Sequence, residues 1–244
     1  MAIKVLVNGA FGRMGQLTVK TISQDGNFEL VGQTGREYDL AKAIHDSNAE
    51  VVIDFTRADA AYENAVTIIN AGARPIIGTS GLTHEHVKKL QELCTKLERG
   101  GILAPNFSLG AVLMMKCAKQ IVSYMPNVEI IEMHHPDKVD SPSGTSLRSA
   151  DMMAETNTAL NPLGKTGHDT VKGSRGALYR DIPIHAVRLP GFLAHQQIIF
   201  GNTGETLTLR HDSIDRECFM PGVRFACKKV MELDHLVYGL EELL

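Results

Sequence analysis

Apolar positions in the first hundred residues fall into short β-branched runs separated by stretches of helical periodicity. Ile3 to Val7 reads as a strand, Gly9 to Gly15 as a glycine-rich turn, Met14 to Ser23 as a helix and Phe28 to Gly32 as a second strand. Together these make a βαβ unit. The alternation continues with a strand at Val51 to Phe55, an alanine-rich helix near Ala58 to Ala71 and a strand at Pro75 to Gly78. A helix over Thr83 to Glu98 and a strand at Ile102 to Ala104 follow. Strands that alternate with helices imply an α/β fold with a parallel, doubly wound sheet. Pro105 to Ser108 then forms a loop leading into a helix over Gly110 to Ser123.

After that helix the pattern changes. Val128 to Met133 has strand character, and the stretch from Asn161 to Gly176 is polar and glycine-rich. Strands at Ile184 to Leu189, Gln196 to Phe200 and Glu205 to Arg210 lack intervening helices, so they predict an open, mixed or antiparallel sheet in a second domain. An amphipathic helix over Met220 to Leu233 can return to the first domain, as a chain insertion requires.

Composition narrows the possible functions. With 244 residues, 43% of them hydrophobic, the chain can bury a full core, and disorder is excluded. The 25 basic and 28 acidic residues leave a net charge of -3 without any basic block. Neither nucleic acid nor a membrane surface is therefore an expected partner. The apolar run from Ala2 to Asn8 is too short for a signal segment, and no later run reaches membrane-spanning length, so a cytoplasmic location is expected. Cys94, Cys117, Cys218 and Cys227 show no CxxC spacing and read as reduced, mostly buried thiols. His84 and His86 lie two apart on a predicted helix and so face different ways, and no metal site is expected.

Two segments carry candidate chemistry. Gly9-Ala10-Phe11-Gly12-Arg13-Met14-Gly15 sits between a strand and a helix, where backbone amides and a helix N-terminus can receive a pyrophosphate. Its spacing is GxxGxxG, with Ala10 where the usual GxGxxG has a glycine. The acid that commonly binds the ribose lies about 20 residues on; here the chain reads Thr34-Gly35-Arg36-Glu37. Arg36 can meet a 2′-phosphate, while the acid is displaced or absent. The second segment, Glu132 to Thr145, places His134, His135 and Lys138 in one loop and ends in Ser143-Gly144-Thr145 at a helix start. Protonatable groups beside hydroxyl and amide donors suit a small anionic substrate.

At these residues the chain resembles the 4-hydroxy-tetrahydrodipicolinate reductase family. Glu-x-His-His, a following lysine and Asp-Ser-Pro-Ser-Gly-Thr match its signature. They are joined in order by Gly9 to Gly15, Asp54-Phe55-Thr56-Arg57, Gly78-Thr79-Ser80-Gly81 and Ala104-Pro105-Asn106-Phe107-Ser108, so the likeness covers nearly the whole chain. The resemblance implies a Rossmann-type dinucleotide-binding domain from residues 1–106 and 216–244. It also implies an inserted α+β domain, residues 107–215, that binds substrate and forms a homotetramer.

NADPH or NADH would be the reductant and a small dicarboxylate the substrate, in lysine biosynthesis through diaminopimelate. His134 would serve as proton donor or acceptor and Lys138 as proton donor. His135, Ser143, Gly144 and Thr145 would hold the substrate carboxylates. Gly9, Ala10, Phe11, Gly12, Arg13 and Met14 would line the cofactor, with Gly78, Thr79 and Ser80, and with Ala104, Pro105, Asn106 and Phe107. The chain departs from the family after Glu37, where it passes almost directly into the helix before Val51, and at Gly35-Arg36-Glu37, which does not align with the family's acid and arginine pair. Two other readings share the scaffold: a different small-molecule dehydrogenase, and a nucleotide sensor without catalysis, for which neither a helix-turn-helix nor a basic patch is found.

Overall fold

Val5, Leu6 and Val7 are fully buried, and so are Val51, Val52 and Ile53. Strands that are apolar on both faces need cover on both, which right-handed βαβ winding supplies. The computed structural model describes residues 1–79, 81–157, 159–161 and 169–244. The chain divides into two units, Met1–Leu109 with Arg216–Leu244, and Gly110–Asp215.

The first unit is a six-stranded parallel sheet. With all strands numbered in chain order, it comprises β1 (Ile3–Asn8), β2 (Phe28–Thr34), β3 (Val51–Asp54), β4 (Arg74–Ile77), β5 (Gly101–Leu103) and β11 (Leu236–Tyr238). Their order across the sheet is β11-β5-β4-β3-β1-β2. Helices α1 (Arg13–Ser23), α2 (Leu40–Ser47), α3 (Ala61–Asn70), α4 (His84–Lys96) and α7 (Met220–Lys229) cover it. Leu6, Val52, Ile77 and Leu103 cluster with Ile44 of α2, Ala61, Ala65 and Ile68 of α3, and Leu90 and Cys94 of α4. The chain steps from β1 one way to β2 and from β3 the other way to β4, so α1, which packs on α7, takes the opposite face. The strand order reverses between β1 and β3, and in such sheets ligands bind at the carboxyl ends of the strands there.

The second unit holds a five-stranded sheet of order β10-β9-β6-β8-β7. Its strands are β6 (Asn127–His134), β7 (Ala177–Tyr179), β8 (Ile182–Arg188), β9 (Ala194–Asn202) and β10 (Glu205–Ser213). β6 pairs parallel with β8 and antiparallel with β9, so the sheet is mixed. Val128 and Ile130 of β6, Ile182 and Ile184 of β8, and Ile198 and Phe200 of β9 form one core with Met114 and Ala118 of α5 (Leu109–Ile121), Val122 just after it, and Ala150 and Met153 of α6 (Gly144–Thr156). Among the described residues no helix is long and apolar enough to cross a membrane. Of the polar stretch from Asn161 to Gly176, residues 162–168 lie outside those described.

Three sequence expectations change. The helix expected over Met220 to Leu233 stops at Lys229, and a short 3-10 turn, Val230–Glu232, follows it. β11, a sixth parallel strand, then follows; at three residues it is too short to produce a period-two signal. Only two of the four thiols are buried: Cys94 and Cys227 are, whereas Cys218 is partly covered and Cys117 is exposed. Burial pushes the Cys94 thiol up to about 11, which makes it inert as a nucleophile.

Gly222, in α7, shows how tightly the first unit is closed: a Cβ there would lie 1.9 Å from the backbone oxygen of Phe107. Helix propensity alone predicts a gain of about 1 kcal/mol for Gly222→Ala. The contact with a backbone atom reverses the sign, so the variant will have a lower urea midpoint than the parent. A midpoint equal to or above the parent's would show that the Phe107 loop yields freely.

Candidate active site

The edge of the first sheet that carries the glycine turn is held by one carboxylate. Asp54 ends β3 and is fully buried. It accepts hydrogen bonds from Asn8 Nδ2 at 2.8 Å, Asn64 Nδ2 at 2.8 Å, the Thr56 amide at 3.1 Å, the Thr56 hydroxyl at 2.6 Å and the Thr79 hydroxyl at 3.2 Å. All these donors are neutral. The network runs on to β2, because the Thr34 hydroxyl donates to Asn8 Oδ1 at 2.9 Å. The Thr34 carbonyl accepts from the amides of both Gly9 and Ala10 at 3.0 Å. Asp54, Asn8 and Thr34 thus fix the start of the turn.

The turn leaves no room for a side chain at Gly9 or Gly15. Gly9 has φ +78°, and a Cβ there would lie 2.5 Å from the Phe55 oxygen; a Cβ on Gly15 would lie 2.0 Å from the Gly9 oxygen. Gly12 caps α1 in an extended conformation without any side-chain hydrogen bond, so the amides of the first turn of α1 keep the donor capacity that suits an anion. Phe11, Gly12 and Arg13 are exposed. Across the same edge, a Cβ on Gly78 would lie 2.2 Å from the Phe55 ring and 2.8 Å from the Phe107 ring. Those two rings meet edge-on at 5.5 Å. Ala104 and Phe107 are buried wall residues, whereas Pro105 is exposed, Asn106 is partly exposed and Asn106 Oδ1 accepts the Ser108 amide at 2.8 Å. The glycine cradle and the uncapped helix fit a dinucleotide. Ser80 lies outside the described residues.

Arg36 and Glu37 are both exposed beyond the end of β2. Thr34, the last residue of that strand, stands where a ribose-binding acid is usual, but it is buried and its hydroxyl is committed to Asn8. The aromatic rings of Phe11 and Tyr38, both largely exposed, lie 6.0 Å apart beside this position.

In the second unit, a buried acid organises the histidine and lysine loop. Glu132 takes a core-facing position of β6, two residues after Ile130, and has no exposed surface. Its Oε2 lies 2.5 Å from His134 Nδ1 and accepts Arg188 NH1 at 2.8 Å. Its Oε1 accepts Arg188 NH2 at 2.8 Å and the Ser143 amide at 3.2 Å. Burial raises the Glu132 carboxyl, but the bonds to His134 and Arg188 outweigh it and hold the group below its ordinary range. Arg188 also donates to the Asp140 carbonyl at 2.9 Å, so one guanidinium ties β8, β6 and the loop together.

The remaining residues of the segment separate by role. Lys138 pairs with Asp140 at 2.7 Å. Burial raises the Asp140 carboxyl, and the ammonium more than reverses that effect. His135 is partly exposed and makes no hydrogen bond to a described residue through its ring. Ser143 is buried as the N-cap of α6, and its Oγ accepts the Ser146 amide and lies 2.8 Å from Ser146 Oγ. A chain of bonds continues from Ser146 to Gln196 to Ser149. Ser143 therefore shapes the helix start, while Gly144 is exposed, with open space where a Cβ would stand, and Thr145 is partly exposed.

Asp54 and Glu132 stand in the matched motifs but received no role from the sequence, and neither did Asn8 or Arg188. The usable signal lay in β6 and β3, where an acid interrupts or ends an apolar strand at a core position and so demands partners.

Comparison with known proteins identifies the family. Residues 3–107 match the family model described as dihydrodipicolinate reductase, N-terminus, and residues 110–244 match dihydrodipicolinate reductase, C-terminus. A 4-hydroxy-tetrahydrodipicolinate reductase of Coxiella burnetii strain Dugway 5J108-111 is 52% identical, with both chains covered in full. The protein of that name from Legionella pneumophila strain Lens is 51% identical, again over both full lengths. A solved structure of dipicolinate-bound dihydrodipicolinate reductase from Paenisporosarcina sp. TG-14 shares 42% identity, covers all of both chains and superposes with a TM-score of 0.89. With both halves matched by the paired models, the chain belongs to the dihydrodipicolinate reductase family.

Proposed function

We propose that the chain reduces 4-hydroxy-tetrahydrodipicolinate to tetrahydrodipicolinate in the diaminopimelate route to lysine, with a nicotinamide cofactor as reductant. The observation that carries this reading is the loop from His134 to Thr145. It sets an imidazole, an ammonium and a helix N-terminus along one segment, anchored by the buried Glu132. Its support is the full-length likeness to relatives bearing that activity's name, and to a structure that binds dipicolinate.

The tasks proposed for the residues are those the family resemblance implies, fitted to their surroundings. Gly9 to Met14 would line the pyrophosphate, with the amides of Phe11, Arg13 and Met14 as its donors because those of Gly9, Ala10 and Gly12 are bonded within the fold, and Gly78, Thr79 and Ala104 to Phe107 would bound the nicotinamide side, with Ser80 assigned there by resemblance. When bound, the cofactor supplies a hydride to ring carbon C4, after the 4-hydroxyl has left as water. His135 and the amides of Gly144 and Thr145 hold the two ring carboxylates, with Ser143 setting the helix start. Lys138, drawn from Asp140, sets a positive charge beside the developing negative charge of the ring. His134 handles the proton that the enamine carbon takes up, through Nε2, which has no partner among the described residues. Ile131, Met133, Val187 and Ile199, on the sheet face opposite the core, are only partly covered within the unit. We assign that face to contacts between copies in a homotetramer.

His134→Ala and Lys138→Ala will each lower kcat by about 10²- to 10⁴-fold while leaving cofactor affinity near the parent's. Steady-state assays paired with cofactor titration check this, and near-parental turnover in both would reject the assignment.

Pyridine-2,6-dicarboxylate will compete with substrate, and Thr145→Val will weaken it. An inhibition constant unchanged by the substitution would remove Thr145 from the carboxylate site.

For cofactor choice, Arg36 favours NADPH through its 2′-phosphate, while no acid at β2 opposes that phosphate. Both cofactors will serve, with NADPH ahead at low salt. Arg36→Ala will lower kcat/KM for NADPH more than for NADH, and added salt will reproduce part of that loss. Equal losses for both cofactors would end the claim of phosphate recognition.

A further inference from the structure

Glu132 has four acceptor sites on its two oxygens, and all four are taken: Arg188 NH1 and His134 Nδ1 at Oε2, Arg188 NH2 and the Ser143 amide at Oε1. A carboxylate bound in this way accepts only, since the guanidinium and the amide are donors that cannot reverse their role. We infer that Glu132 and Arg188 are a positioning pair that locks His134 in its Nδ1–H tautomer and leaves Nε2 as the nitrogen that exchanges a proton with the substrate. This rests on the proposed function only in taking His134 as the proton-handling group.

The two members of the pair act in opposite directions. Glu132 favours the imidazolium by placing a negative oxygen 2.5 Å from Nδ1. Arg188 reduces that pull by sharing the same carboxylate through two bonds. The other charged groups facing His134 come from its own loop, Asp140 and, paired with it, Lys138. Opposite His134, β9 contributes the uncharged Ala194, and α6 contributes the start of a helix, which carries partial positive charge. None of these touches Nδ1, so Glu132 alone sets the tautomer.

Imidazole ¹⁵N spectra of the full chain, with His134 assigned by difference from His134→Ala, read the tautomer directly. The expected spectrum is Nδ1–H, and an Nε2–H tautomer in the parent overturns the inference whatever the activity. In pH profiles of kcat/KM, Glu132→Gln will move the alkaline limb, where a proton-donating His134 is lost, to lower pH and reduce kcat by on the order of 10²-fold, with the KM for cofactor unchanged. Arg188→Lys, which loses the paired bonds but keeps a cation, will move the same limb to higher pH. It also provides the test should Glu132→Gln not fold. Limbs that stay in place, or that move together with a fall in melting temperature, assign the pair a structural role only and overturn the inference. Failure here is separable from failure of the proposed function. Full turnover in His134→Ala rejects that function, whereas lost turnover there with an unshifted limb in Arg188→Lys rejects only the positioning pair.

Discussion

A carboxylate cut off from water must have its lone pairs filled by protein donors, and the cofactor-facing edge of the first unit is arranged around that requirement at Asp54. The residue ends β3 where the strand order reverses, the place where open parallel sheets accept ligands. Its partners come from β1, α3 and the loop after β4. Asn8 passes the constraint to Thr34, and Thr34 holds the first amides of the glycine turn. The path of the turn is therefore set by the buried network beneath it as much as by the glycines. A change at Asn8 or Thr34 reaches Gly9 and Ala10 without touching any ligand.

Glu132 meets the same requirement in the second unit with different partners. Asp54 is held by neutral amides and hydroxyls, so the geometry it imposes carries no titrating group. Glu132 is held by a guanidinium and an imidazole, so its geometry is tied to a ring that can carry a proton on either nitrogen. In our reading this difference follows the division of labour: the dinucleotide edge must keep one shape, whereas the dicarboxylate loop must move a proton. Leaving a buried charge of either kind without its partners is costly.

The fold was legible because the first unit follows period and alternation closely. Strands buried on both faces read as continuous apolar runs, and the turn between β1 and α1 announced itself by its glycines. β11, only three residues long, escaped; its place is decided by pairing with β5, a contact 135 positions distant in sequence. Within the site, protonatable residue types could be picked out by kind, so His134, His135 and Lys138 drew notice. Ser143 shows the limit of that approach. A hydroxyl in a Ser-Gly-Thr run looks like a ligand donor, yet here it is spent on the helix cap, which only the fold of the preceding loop decides. Arg188 was illegible for a related reason: nothing in its neighbourhood along the chain hints at a partner 56 positions earlier.

The same reasoning bears on how firmly the chain can select between the two nicotinamide cofactors. A strict preference needs a group at the end of β2 that is buried enough to escape screening, as an acid gripping both ribose hydroxyls would be. Thr34 holds that position but faces inward and is fully used by Asn8. In the proposed reading selection falls to Arg36, Glu37 and Tyr38, all of them exposed. Exposed charge pairs discriminate by about tenfold at most, and salt erodes even that. Under the role proposed for Arg36, such a chain would lean toward NADPH with low selectivity, and raising that selectivity would take a substitution at Thr34 that also finds Asn8 a new partner.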